Sequence, residues 1–388
     1  MRLALLRCVT VLGGLALPAG STFADPSADF TLCTSSDDIS EPAVADACDR
    51  FIAVAGASAS DRAAAYAMRS RIAAADEDYR SALDDADQSI RLAPTANAYL
   101  FRGYYRTMLG QRDDAVADYG QSITLSPTPD AYYLRAKIYA QRGEYRKAIG
   151  DLNRVVPLVP GEPEPHRWRA TSFEALGLHD RAIAEYSIML GLNDRDAAAF
   201  AGRAVSYLAK GNAKAAIIDY SAGLDVKADW TMLAGRARAY REAGNFAAAA
   251  ADLTQAAKLS PAASVYLQIG DTAKAAGDLR GATVAYQQAV ALATAALADG
   301  SSPAAHRERG LAYTGLGQIE SAALDFDDVI RLAPDDAAAY RLRAATRRML
   351  GDRAQAAADN ARATELEAAA AERANAPPDS DLASAVPP

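Results

Sequence analysis

The chain repeats itself about every 34 residues, and a unit that short cannot enclose a core of its own. One glycine per unit marks the period: Gly110, Gly143, Gly177, Gly211, Gly244, Gly277, Gly317 and Gly351. They lie 33 or 34 residues apart, with one gap of 40. Setting this glycine at position 15 starts the units at Ala96, Pro129, Pro163, Ala197, Trp230, Ala263, Pro303 and Ala337, and one period back adds a unit at Ala63 that carries Glu77 in place of the glycine.

Other columns then fall into register. Position 20 is alanine throughout, from Ala82 to Ala356, and position 8 is always small, as at Gly103, Ala136 and Gly310. Position 4 is mostly aromatic (Tyr66, Tyr99, Tyr132, Phe200), and so is position 24 (Tyr119, Tyr186, Tyr220, Tyr286, Phe326). Position 32 is often proline, as at Pro94, Pro127 and Pro334. Positions 4, 8 and 11 share one face of a first helix, and 20, 24, 27 and 28 share one face of a second. Helices joined by a short turn approach to roughly 8–10 Å, so small residues belong where they touch. The glycine ends the first helix in the left-handed conformation, and the proline ends the second. The composition fits: 51% of residues are hydrophobic but only 7% are aromatic, as in closely packed, alanine-rich helices.

These small, aromatic, glycine and proline columns resemble the tetratricopeptide repeat family over residues 63–370. The resemblance implies an all-α, right-handed superhelical solenoid of about nine helical hairpins. Upstream, Val44, Cys48, Phe51, Ile52 and Ala55 form an apolar stripe, so residues 25–62 read as an N-terminal capping segment built on a half-repeat over 40–56. In the unit at Ala263 the second helix is expected to run on through 291–298. A terminal helix is expected over 352–374, and residues 371–388 are assigned to a disordered tail, proline-bearing from Pro377.

Position 7 is arginine in every unit but one: Arg69, Arg102, Arg135, Arg169, Arg203, Arg236, Arg309 and Arg343. Position 23 is acidic in the same units: Asp85, Asp118, Asp151, Glu185, Asp219, Asp252, Asp325 and Asp359. Ile269 and Ala285 replace both in a single unit, which predicts that the two columns pair with each other and do not form a ligand ladder.

Positions 2, 5, 9 and 12 lie on another side of the first helix, which in tetratricopeptide proteins lines the concave, peptide-holding groove. They carry Arg71, Lys137, Arg167, Arg238, Arg241, Lys274, Arg307, Arg341 and Arg348 against only Asp130, Glu164, Glu174 and Asp271. Leu100, Tyr104, Tyr133 and the adjacent Trp168 add the aromatic anchors common at binding hot spots. The asparagines that clamp chaperone tails in this family are absent, since the first helices carry only Asn97. This face is therefore the candidate site, suited to an acidic protein or peptide, or alternatively to an anionic glycan or cell-wall fragment.

The first 24 residues have the layout of a secretory signal: Arg2 and Arg7, an apolar run from Cys8 to Leu17, then Thr22-Phe23-Ala24. Cleavage there predicts a periplasmic or otherwise exported protein with no stable membrane span. The two remaining cysteines, Cys33 and Cys48, are expected to form a disulfide. A net charge of −8, or −10 once Arg2 and Arg7 are removed, argues against nucleic acid as a partner. No metal, cofactor or catalytic motif is evident. His166 and His306 occupy position 4, where aromatics pack in other units, and His179 is placed in a turn. The expected function is a non-catalytic binding scaffold.

Overall fold

In the computed structural model, residues 25–35 and 42–377 are described, and they are helical with no strand among them. The signal assigned to 1–24 lies outside the described residues, as does the tail from 378 onward. The chain forms two compact units, Met1–Leu125 and Ser126–Pro388.

The first unit contains α1 (Pro26–Ser35), α2 (Pro42–Ile52), α3 (Ala59–Ala75), α4 (Tyr79–Leu92), α5 (Ala96–Met108) and α6 (Arg112–Leu125). The half-repeat expected here is a full hairpin, because α1 lies against α2 and both touch α3. The Cys33–Cys48 disulfide joins the pair inside a cluster with Val44, Phe51, Ala65 and Met68. Phe30 packs on Phe51 at 4.8 Å, and Asp29 accepts from Arg50 Nη2 at 2.7 Å. Helix α3 begins four residues before the expected Ala63, because the Ser58 hydroxyl caps the amide of Asp61 at 3.0 Å.

The second unit contains α7 (Pro129–Gln141), α8 (Tyr145–Val155), α9 (Pro163–Ala175), α10 (His179–Leu192), α11 (Ala197–Ala209), α12 (Ala213–Val226), α13 (Trp230–Glu242) and α14 (Phe246–Leu259). It continues with α15 (Ala263–Ala275), α16 (Leu279–Ala298), α17 (Pro303–Gly315), α18 (Ile319–Leu332), α19 (Ala337–Met349) and α20 (Arg353–Ala374). Within each unit every helix packs on the next, and every first helix from α5 onward starts on the residue the glycine register predicts. Helix α20 carries on through Ala374, so residues 371–374, assigned above to the tail, are helical. His179 is the first residue of α10 and not part of a turn.

The marker glycines all have φ between 70° and 86°, and Glu77, which replaces the glycine, is held at φ 61°. Left-handed backbone costs a residue with a Cβ about 1–2 kcal/mol, which explains why the column is otherwise glycine.

Position 24 explains the small column. Each large ring there leans on a glycine, where a Cβ would stand 2.3–2.8 Å from the ring: Tyr119 on Gly103, Tyr286 on Gly270 and Phe326 on Gly310 within one hairpin. Tyr186 and Tyr220 lean instead on Gly202 and Gly235 of the following hairpin. The ring thus packs both within and between repeats.

Helix α16 does run on, as the 40-residue gap predicts. It has 20 residues where α10, α12, α14 and α18 have 14.

Candidate functional site

The arginine and acid columns pair in all eight units that carry them. Arg135 Nε and Nη2 donate to Asp151 at 2.9 Å each, with the arginine 1% exposed and the aspartate fully buried. Arg203–Asp219 and Arg236–Asp252 repeat this two-pronged geometry at 2.8 Å, and the shared hydrogen bonds hold both guanidinium groups above their ordinary pKa. Where the acid is Glu185, Arg169 reaches it through Nη2 alone, at 2.9 Å, and the second carboxylate oxygen takes His166 Nδ1 at 2.7 Å.

The same guanidinium also reaches back to the preceding hairpin. Arg102 Nη1 donates to Asp87, Arg169 to Asn153, Arg203 to Ser187, Arg236 to Ser221 and Arg343 to Asp327, all at position 25. Arg309 reaches Thr294, seven residues beyond that position in the lengthened α16, at 3.4 Å. These arginines hold helices together and present no ligand-binding row.

His306 Nδ1 stands 3.0 Å from Asp325 and 3.7 Å from Asp328, a grouping that linear spacing does not reveal. Both Asp325 oxygens already accept from Arg309, so the cluster is part of the hairpin clamp.

The groove positions do come together over part of the second unit. Thr231, Ala234, Arg238 and Arg241, positions 2, 5, 9 and 12 of one repeat, line a cleft of about 810 Å³ shared with Val205, Trp230 and Gln268. Further toward the start of the unit, the Lys137 ammonium lies 5.5 Å from the Tyr133 ring and 5.7 Å from the Trp168 ring. Such a cation sits against both π faces. Burial pushes the Tyr133 phenol up to about 12; Trp168 offsets this in part, although no donor reaches the oxygen in hydrogen-bond geometry.

In the first unit, Arg71 lies over Phe101 at 5.7 Å. Tyr104 packs edge-on to Tyr79 and Tyr105, and its phenol is raised by burial.

Several of the positive charges counted for the groove are already matched. Arg167 pairs with Glu164 at 3.3 Å and Asp196 at 3.2 Å, Arg238 with Glu242 at 3.0 Å, and Arg341 with Glu367 at 2.7 Å. Arg307 pairs with Asp336, and Arg241 stands 4.0 Å from Asp271. Asp196 and Asp336 are the capping residues of α11 and α19, so position 5 ties one repeat to the start of the next. Of the nine basic groove residues, Arg71, Lys137, Lys274 and Arg348 have no ion pair among the described residues. The acids Glu174 and Asp271 accept from Tyr186 and Tyr286.

No described helix is long and apolar enough to cross a membrane.

Sequence models of the tetratricopeptide repeat match residues 108–163 and 169–231, and a second such model matches 231–262. No curated protein matches the chain. Among solved structures, a tetratricopeptide repeat protein from Parabacteroides merdae ATCC 43184 is 20% identical, with 64% of this chain and 97% of that one covered and a TM-score of 0.49. YrrB, described as a TPR protein with an unusual peptide-binding site, is 18% identical over 43% of this chain and 88% of its own, with a TM-score of 0.42. MamA is 18% identical over 42% and 91%, with a TM-score of 0.41.

Proposed function

We propose, from the premise that the chain carries tetratricopeptide repeats, that it is an exported, non-catalytic scaffold holding a protein segment on the groove face of its second unit. The observation that carries this reading is the convergence of all four groove positions of the Trp230 repeat on one cleft, with Trp230 and two arginines at its wall. Aromatic and arginine side chains at a recessed surface supply most of the binding energy at protein interfaces. The ion pairs narrow the recognition chemistry: paired arginines present planar apolar surface and partial charge, and Lys137 between two rings supplies an unpaired cation. An extended segment bearing a carboxylate and apolar side chains fits both.

The test is capture from envelope extract with wild-type protein and with Lys137→Glu/Arg238→Glu. Arg238 is exposed and Lys137 half-buried, so thermal stability should move little; surface substitutions usually stay within about ±0.5 kcal/mol. The expected result is a peptide or protein retained by wild type, lost from the variant and weakened by salt. Glycan in the eluate, or equal retention by both proteins, would overturn the reading.

A further inference from the structure

The tyrosines of position 24 do not all use their hydroxyls in the same way. Tyr119 shares a hydrogen bond with the Thr107 hydroxyl at 3.0 Å, Tyr186 donates to Glu174 at 3.2 Å and Tyr286 donates to Asp271 at 2.8 Å. In each case the partner stands at position 9 or 12 of the tyrosine's own repeat. Tyr220 has Val205 and Leu208 at those positions, so its repeat offers no acceptor there. Its hydroxyl has no hydrogen-bond partner among the described residues, although the residue is only 4% exposed.

Tyr220 lines the cleft of about 810 Å³ at the Trp230 repeat, and so do Val205 and Leu208. The phenol lies close over Gly235, where a Cβ would stand 2.6 Å from its oxygen. An unpaired hydroxyl at an enclosed wall carries a standing cost that an acceptor on a ligand relieves. The charges nearby select that acceptor. Arg238 donates through Nε alone, to Glu242 at 3.0 Å, and Arg241 comes no nearer than 4.0 Å to Asp271. Glu242 is the one acid lining the cleft among the described residues. Burial raises the Tyr220 phenol and the Arg238 charge draws it partly back, so that cation acts at the hydroxyl.

We propose that Tyr220 and Arg238 together hold one carboxylate, from an aspartate or glutamate side chain within the bound segment, and that Tyr220 sets the preference for it. The inference rests on the scaffold reading above. Three successive first helices, α11, α13 and α15, wall the cleft. A segment crossing them has chain on both sides of the phenol and presents a side chain there, not its end. A hydroxyl donating to a carboxylate makes one of the stronger hydrogen bonds open to a protein.

The probes are degenerate heptapeptides, acetylated and amidated at their ends, with either an acid or the matching amide at the centre. A third set has the amide centre and a free C-terminal carboxylate. Full-length protein should retain the acid-centred set over the other two. Tyr220→Phe should lower the affinity of the best-retained acid-centred peptide by about tenfold or more, the weight of one hydrogen bond to a charged group. Because the hydroxyl has no internal partner, this substitution should not lower the melting temperature. Tyr186→Phe, which removes the bond to Glu174, should lower it and leave the acid preference intact. Equal retention of acid and amide centres, or undiminished binding by Tyr220→Phe, overturns the inference and leaves the scaffold reading standing. A preference for the free C-terminus overturns the choice of a side chain, and failure to retain any set overturns both readings.

Discussion

Removing Asp151 tests the clamp where it is most enclosed. The Asp151→Ala substitution deletes both acceptors of the Arg135 fork, and Arg135 is 1% exposed. Water cannot replace those acceptors at the guanidinium without opening the hairpin. Breaking such a buried pair from one side costs about 3–5 kcal/mol, or two to three and a half powers of ten in the opening constant. Arg135→Met removes the fork from the Asp151 carboxylate instead and should cost a similar amount. The double variant leaves neither charge behind, so its loss should fall short of the sum of the two single losses by about 0.5–3 kcal/mol. At Arg236–Asp252, where the side chains are 20% and 9% exposed, solvent takes up part of the freed charge and the coupling should be smaller. Urea denaturation gives the global figure, and amide exchange on α7 and α8 gives the local one, which repeat arrays require because they open piecemeal. Strict additivity at Arg135–Asp151, or equal coupling at the two sites, would refute the reasoning.

Glu77→Gly should raise the melting temperature, because it relieves a left-handed residue worth about 1–2 kcal/mol, less an unfolded-state entropy term of about 0.4–1 kcal/mol. Gly143→Ala, at φ 77°, should lower it. Tyr105 and Tyr133 are pushed up to about 12 by burial, whereas an unfolded phenol titrates near 10. Stability from these phenols is complete below pH 10 and is lost as pH climbs toward 12, which ultraviolet tyrosinate absorbance should show as late ionisation coincident with unfolding. Reduction of Cys33–Cys48 should weaken the α1–α2 hairpin by about 3 kcal/mol in the chain-entropy picture, seen as faster exchange of the α2 amides while α7–α20 are unaffected.

The repeating columns carry their own geometry, which is why helix starts, turn glycines and the arginine–acid pairing are legible in the sequence. What was not legible involves partners outside the columns. The groove count includes positions 2, 5, 9 and 12 alone, so it omits Asp196, Glu242, Asp336 and Glu367, which match its arginines from helix caps, from the next turn of the same helix and from a neighbouring helix. Position 25 was overlooked because its residues differ, Asp, Asn or Ser, while sharing one role as acceptor. The glycines under Tyr186 and Tyr220 sit at position 6 of the next repeat, and become visible only once ring and glycine are compared across a boundary. Helix α1 has just Phe30, Leu32 and Cys33 as large apolar residues, too few to show a period.

Among the described residues, the hairpin of α15 and α16 is the one repeat from α3 onward without the arginine–acid clamp, although Tyr286 of α16 still donates to Asp271 of α15 at 2.8 Å. Ile269 and Ala285 stand where arginine and acid stand elsewhere, so no guanidinium fastens α15 to its own partner or back to α14. Only apolar surface joins α14 and α15, with Val265 and Ile269 against the cluster of Leu233 and Leu253. Greasy contacts slide with little resistance, whereas a forked ion pair must be torn before two helices can shear. Pulled from its ends, or nibbled by a protease during thermal breathing, the second unit has its least to break at residues 260–263. A tear there would leave the clamped hairpins α13–α14 and α17–α18 whole on either side.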